Sequence, residues 1–267
     1  METKEFARNM RKLIVEAIYN SKSGHPGGSL SCTDIAAVLF NEELRIDPAD
    51  AKNPDRDRFV MSKGHACCTL YSALALKGYF DPAEMKNFRK IDSFLEGHPD
   101  MKTIPGVDMT TGSLGQGISA ACGMALNGKR KNKDYRVYAI IGDGESEEGQ
   151  VWEAMMFAAH YKLDNLCFFL DFNGLQIDGD ITKVMSPLPY PEKLSAFGMN
   201  VIEIDGHDYD QIRNAIAQAK ECKGKPTAVI AHTIKGKGVS FMENVASWHG
   251  TAPNEEQYLQ AMKELDA

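Results

Sequence analysis

The stretch from Val137 to Asp171 constrains the fold more than any other part of this sequence. An apolar run, "VYAII", ends at Gly142, a helical pattern "GQVWEAMMFAAHYK" starts near Gly149, and a second apolar run, "NLCFFLD", ends at Asp171. Neither run alternates polar with apolar side chains, the mark of strands covered on both faces, and the spacing is that of one βαβ crossover. Elsewhere, helical spacing of apolar residues marks roughly 4–20, 32–43, 66–78, 114–127, 150–162 and 208–222, and β-rich runs fall near 58–61, 137–141, 165–171, 200–204 and 227–232. Helices and strands alternate, which predicts an α/β fold: a doubly wound, mostly parallel sheet with helices on both faces. No repeat or linker divides the chain. Its weakest spot is the Pro-punctuated "SPLPYPEK" from Ser186 to Lys193, and residues 1–267 read as a single domain.

The crossover gives the segment "AIIGDGESEEG" a location. Asp143 and Asn173, 173 − 143 = 30 residues apart, should emerge level at the carboxyl edge of the sheet, where open α/β sheets bind ligands. A carboxylate, an amide oxygen and nearby main-chain oxygens form a hard-oxygen set suited to Mg²⁺ or Ca²⁺, with positions left for phosphate oxygens and water. Gly142 and Gly144 permit close backbone approach, and the helix N-terminus beyond them favours an anion. An isolated "GDG" is more often a plain turn. The continuation through "DFNGLQIDG" is what shifts the balance towards a site.

With 267 residues, 43% of them hydrophobic, the chain can bury a sizeable core, and its formal charge of −7 comes with no basic run. Nucleic acid and membrane surfaces are therefore not expected partners. The charged N-terminal stretch does not read as a signal peptide, so a cytoplasmic location is expected. Six cysteines lack a CxxC spacing, sit mostly among apolar neighbours and read as reduced and structural.

The series "GDG", "EEG", "DN" and "DFNGLQIDG" resembles the thiamin-diphosphate motif, and the rest of the chain resembles the amino-terminal domain of transketolase. The matching segments run from "SGHPGGSLSCTDIAAVLF" through "DRFVMSKGHACCTLYSALALKGY", "FLEGHPD" and "TTGSLGQGISAACGMAL" to "HTIKGKGVSF" and "SWHGTAP", nearly the whole chain. The resemblance implies that Asp143, Asn173 and the main-chain oxygen of Leu175 hold a divalent ion, Mg²⁺ with Ca²⁺ or Mn²⁺ as substitutes, which clamps the cofactor's diphosphate. It implies that Ile177 and Leu114 lie near the thiazolium, that the Gly112 backbone meets the aminopyrimidine, and that Lys235 covers the site. Lys237 by itself reads as an exposed basic turn.

Four of the seven histidines, His25, His65, His98 and His249, stand beside glycines in loop-like contexts. A lone loop histidine is usually a solvated or capping residue, but imidazole can also donate to phosphate or exchange a proton with a sugar hydroxyl near neutral pH. By the resemblance, His65 and His249 contact the diphosphate region, His25 and His98 face the donor sugar, and His25, His98 and His249 are the catalytic candidates. Glu148 matches the family's buried acid at the contact with a pyrimidine-binding domain. Glu145 and Glu147 have no match and read as solvated acids favouring a helix N-terminus.

The implied reaction is transfer of a two-carbon ketol unit from a ketose to an aldose, free or phosphorylated. Single-chain transketolases continue into a pyrimidine-binding and a C-terminal domain that this sequence lacks. The chain thus looks like the N-terminal subunit of a split transketolase, expected to form a heterotetramer with two copies of a C-terminal subunit. Three alternatives stay open: a nicotinamide dehydrogenase, a non-enzymatic interaction protein and a deoxyxylulose-phosphate-synthase-like subunit. The first would want a GxGxxG turn after a strand, which "GSLGQG" does not provide, and the last fits "SGHPGG" less well.

Overall fold

The computed structural model describes residues 1–266. The chain opens with α1 (Thr3–Ser21), followed by α2 (Pro26–Ser31), α3 (Thr33–Val38), β1 (Arg58–Met61), α4 (Cys67–Leu76) and α5 (Gln116–Arg130). The crossover is β2 (Val137–Gly142), α6 (Gly149–His160) and β3 (Leu166–Phe172). A short hairpin, β4 (Leu175–Gln176) and β5 (Gly179–Asp180), leads to α7 (Ile181–Val184), α8 (Tyr190–Ala196), β6 (Asn200–Asp205), α9 (Tyr209–Glu221), β7 (Thr227–His232) and α10 (Glu255–Asp266).

Five strands form one sheet in the order β1-β2-β3-β7-β6, and each of its pairings is parallel. All six residues of β2 are buried, as the lack of polar alternation requires. Successive side chains divide between two cores because they point to opposite faces. Tyr138, Ile140, Cys167, Phe169 and Val229 pack under α1, α3, α4, α9 and α10, while Ala139, Ile141, Phe168, Leu170 and Ile230 pack under α5, α6 and α8. Helix α1 contributes Phe6, Met10, Ile14 and Ile18 to the first core at helical spacing, and its α-helical run stops at Lys22, which is left-handed at φ 52°.

The expected strands and helices are present with shifts of a few residues, except that 32–43 is α3 followed by a π turn over Leu39–Glu43. The "SPLPYPEK" segment carries Leu188 and Tyr190 onto the second core. It leads into α8, where Tyr190 is buried against the second core and its hydroxyl contacts Ser146 Oγ at 2.8 Å.

The register brings Gly142 opposite Asp171, so the chain leaving β2 and the chain leaving β3 emerge side by side. The segments after β1 and β7 emerge at the same edge, since all of these strands run in one direction.

Candidate cofactor and metal site

A cleft of about 240 Å³ opens at this carboxyl edge. Of the residues picked out from sequence, His25, His65, Gly112, Leu114, Gly142, Asp143, Gly144, Asn173, Leu175, Ile177, Lys235 and His249 line it. His98 and Glu148 do not. His98 stands at the rim, its ring against Gly112, where an added Cβ would lie 3.1 Å from the imidazole Cδ2. Glu148 is exposed, because it precedes the first turn of α6 with its side chain turned outward.

Asp143 is the first residue beyond β2 and is buried, accepting from the Gly144 amide at 2.8 Å and the Gly174 amide at 2.7 Å. Burial, reinforced by the neighbouring Asp171 carboxylate, pushes its carboxyl up to about 7 against these hydrogen bonds. Asn173 Oδ1 accepts from the Leu175 amide at 3.2 Å, and the Leu175 carbonyl accepts from Lys235 Nζ at 3.1 Å. A carboxylate oxygen, an amide oxygen and a main-chain oxygen thus line one cleft, where Asp143 is buried and Lys235 is the cation acting on it. This donor chemistry fits a hard divalent cation, which would favour the ionised form of Asp143. Among the described residues no group of three or more His, Cys, Asp or Glu is placed to hold a metal ion.

The structure corrects the reading of Glu145. It is not solvated: the 3-10 turn over Gly144–Glu147 swings its side chain back beneath β2, where it is 2% exposed. Its carboxylate accepts from the amides of Gly115 at 2.9 Å and Gly142 at 3.1 Å and from the Ser62 hydroxyl, tying together three segments of the cleft. Glu147 is half-buried and accepts from Gln176 Nε2 at 2.5 Å.

At the cleft floor lies an ion pair that sequence reasoning missed. Lys63 follows β1 and places Nζ 2.5 Å from Asp171 Oδ2 and 2.6 Å from the Gly28 carbonyl. Asp171 also accepts from Ser31 Oγ at 2.6 Å and Thr233 Oγ1 at 2.5 Å. Burial opposes both charges, but the pair and its hydroxyl donors hold the carboxyl below its ordinary range and the ammonium above its own.

Lys235 enters from the segment after β7. Burial pulls its ammonium down to about 8, and Nζ lies 3.2 Å from His249 Nδ1 as well as on Leu175. The first glycine of "GHPGG" to follow the proline makes this possible, since a Cβ on Gly27 would sit 2.9 Å from Lys235 Cγ. The loop is fixed from behind by a buried cluster. Asp34 accepts from Arg11 at 2.8 and 2.7 Å, from Tyr209 OH at 2.7 Å and from His207 Nδ1 at 2.8 Å. Arg11 Nε then donates to the Lys237 carbonyl at 3.1 Å, and the Ile234 amide donates to His207 Nε2 at 2.9 Å. A backbone amide can only donate, so Nε2 is the acceptor and the His207 proton is on Nδ1. Lys237 itself is partly exposed beside Glu243, as expected for a turn residue.

His25, His65 and His249 face one another with ring centroids 5.1–5.3 Å apart. Burial, followed by nearby positive charges, pulls His25 down to about 4 and His249 to about 3, and holds His65 well below its ordinary value. In all three the shift favours the neutral imidazole. His25 Nδ1 is buried without a hydrogen-bond partner.

The family described as "Transketolase, thiamine diphosphate binding domain" matches residues 2–266 of this chain. The chain belongs to the transketolase family. It is 47% identical over 261 residues to the 6-deoxy-6-sulfo-D-fructose transketolase subunit SqwG of Clostridium sp. strain MSTE9, covering 97% of this chain and 94% of that one. It is 41% identical over 255 residues to an apulose-4-phosphate transketolase subunit of Phocaeicola vulgatus, covering 96% and 90%. The crystal structure of a Campylobacter jejuni transketolase superposes with a TM-score of 0.94 at 35% identity; it covers all of this chain, which spans 43% of that one.

For a transketolase-family chain, the residues that sequence reasoning passed over are Gly28, Lys63, Glu145, Asp171 and Gln176, all of which line the cleft. Lys63 and Asp171 stand within the motif segments, close to His65 and Asn173. Only strand pairing could disclose that they meet, being 108 residues apart in sequence.

Proposed function

We propose that this chain is the diphosphate-binding subunit of a two-chain transketolase, holding thiamin diphosphate through Mg²⁺ and completed by a C-terminal subunit with the pyrimidine-binding domain. One observation carries the reading: Asp143, Asn173 and Leu175 line the same cleft as the three mutually facing imidazoles of His25, His65 and His249. Bound thiamin diphosphate supplies the nucleophilic carbon that takes up and passes on a two-carbon unit. The chain's own task is placement. Asp143, Asn173 and the Leu175 carbonyl would hold the metal against the diphosphate, with Ca²⁺ or Mn²⁺ able to replace Mg²⁺, and Gly142 and Gly144 let the backbone approach. His65, His249 and Lys235 would face the diphosphate end. The Gly112 backbone, Leu114 and Ile177 would meet the rings. His25, with its unpartnered Nδ1, and His98 at the rim would accept and return protons at the donor's hydroxyls.

Two relatives that this chain nearly matches in length are named as subunits, which supports a partner chain; two copies of each in a heterotetramer is part of the proposal. Their names point to sugars bearing a sulfo or phosphate group as the substrate class. Glu148, exposed at the start of α6, would lie at the contact with the partner's domain. No helix among the described residues is long and apolar enough to cross a membrane, and a cytoplasmic site of action is part of the proposal.

The test is ketol transfer by this chain with and without its co-expressed partner, alongside thiamin-diphosphate titrations with and without Mg²⁺. Activity should require both chains, and Asp143→Ala or Asn173→Ala should remove metal-dependent cofactor binding while the chain stays folded. Robust turnover by the single chain would overturn the two-chain arrangement, and unchanged Mg²⁺-dependent affinity in both variants would overturn the metal assignment. His25→Ala and His98→Ala should lower turnover on the order of 10²–10⁴-fold while sparing cofactor affinity, unlike His65→Ala and His249→Ala.

A further inference from the structure

His25 and His98 come from loops far apart in sequence, and the side chain between those loops is Arg89. Its backbone is left-handed at φ 59°, held by its amide donating to the Leu95 carbonyl at 2.9 Å. From there the guanidinium reaches both loops: Nη1 donates to Ser23 Oγ at 2.6 Å, and Nη2 contacts the Gly97 carbonyl at 3.4 Å. The plane lies against Gly97 so closely that a Cβ there would be 2.7 Å from Nε and 3.1 Å from Cζ. The preceding residue, Phe88, does the same on the other loop, standing 3.3 Å from where a Cβ on Gly24 would be. Ser23 and Gly24 precede His25, and Gly97 precedes His98. Gly97 thus makes room for Arg89, while Gly24 makes room first for Ile18 of α1, whose Cγ1 would lie 2.8 Å from a Cβ there, and then for Phe88.

The charge on Arg89 is not there for an ion pair. No carboxylate pairs with it among the described residues, and its buried Nε has no partner. A guanidinium can bridge two acceptors on separate loops through a rigid fork, which a lysine ammonium on a flexible stem cannot reproduce. The 95–98 loop has its own anchors on α4, with Tyr71 OH donating to the Glu96 carbonyl at 2.9 Å and Cys67 Sγ lying 3.3 Å from the Gly97 carbonyl. Arg89 is therefore not needed to form that loop; it sets where the loop stands relative to His25.

We propose that Arg89 is a positioning residue that clasps the His25 and His98 loops into one unit on the donor side of the cleft. The inference rests on the reading of His25 and His98 as donor-facing groups. The direction of the charge effect agrees: after burial, the Arg89 cation is the next influence holding both imidazoles in their neutral form. The other groups facing His25 are His65, His249 and Lys235, none of which touches the clasp.

Arg89→Met, Arg89→Lys, Gly97→Ala and the double variant Arg89→Met/Gly97→Ala, each in the co-expressed complex, test this. Loss of alignment should lower kcat with a ketose donor roughly 10²-fold, with thiamin-diphosphate affinity changed less than about threefold. Lysine should not rescue. Gly97→Ala should be as damaging as Arg89→Met, yet add little to it, since residues in one contact are not additive. A readout independent of turnover is the NMR signal of the histidine rings in the isolated chain: His25 and His98 should both move in Arg89→Met, while the distant His232 stays in place. Full rescue by lysine, additive losses in the double variant, or movement of only one of the two rings would overturn the clasp. If the wild-type complex shows no ketol transfer, the functional reading fails, and the ring signals still decide the clasp.

Discussion

The two edges of the sheet use the same kinds of charged residue in opposite ways. At the amino edge, Asp57, next to β1, accepts from the amides of Arg136, just before β2, and of Arg45 in the preceding loop, and its cation, Arg45, leaves 52% of its side chain in solvent. Lys129 and Asp164 pair there with 33% and 24% exposure. At the carboxyl edge, Lys63 and Asp171 pair with 2% and 0% exposure, beside two further buried acids, Asp143 and Glu145. Taking both partners out of water costs more than exposed pairing returns, and an apolar pair of the same size is often as stable. Asp57 is itself only 3% exposed, so these pairs differ in their cations: Lys63 is buried with its acid at the carboxyl edge, whereas Arg45 and Lys129 keep theirs in solvent at the edge that only holds the strands.

The largest effect should come from breaking the floor of the cleft. Lys63→Met leaves the Asp171 carboxylate buried without its cation and should cost about 3–5 kcal/mol in denaturant unfolding. Adding Asp171→Asn should return much of that stability. A cost for Lys63→Met no greater than that of an exposed pair would erase the contrast between the edges.

A smaller loss concerns the cluster behind the Lys235 loop. Burial works against the Asp34 charge, but Arg11 beside it and donors from His207, Arg11 and Tyr209 hold its carboxyl well below the usual range. A depressed folded value means stability that is present above about pH 4, the unfolded carboxyl's value, and lost as pH falls further. Asp34→Asn should remove about 1.5–3 kcal/mol at neutral pH and flatten the acid limb of the stability profile. An unchanged limb would place the acid sensitivity elsewhere.

The smallest effect belongs to the amino edge. Lys129→Ala should cost about 0.2–1 kcal/mol and shrink further with salt. Sharpening the comparison needs only these unfolding curves at two ionic strengths, because the Lys63 loss should barely respond to salt.

Much of this contrast was legible in the sequence on one side only. The strands announced themselves through unbroken apolar runs such as "FFL", and Asp143 and Asn173 could be placed together because the crossover between them is local. Lys63 with Asp171 was not legible, since their meeting depends on the order of β1 and β3 in the sheet. Glu145 was misread because three glutamates so close together look alike until a 3-10 turn points one inward. Helix α10 escaped notice because its buried face amounts to Ala261 and Leu265 within a polar stretch. The role of Arg89 needed the position of Gly97 in space.

The sequence separations bridged by this edge set the pace at which it can form. Lys235 meets the Leu175 carbonyl across 60 residues, Lys63 meets Asp171 across 108, and Arg11 meets Lys237 across 226. Contacts of such reach repay their loop-closure entropy only after most of the chain is in order, which favours late formation of this edge. The cleft is then one of the last parts to mature. A ligand that recognises only the finished edge would slow unfolding by mass action without shortening the search for it, so supply of the cofactor would act on how long a molecule lasts more than on how fast one is made.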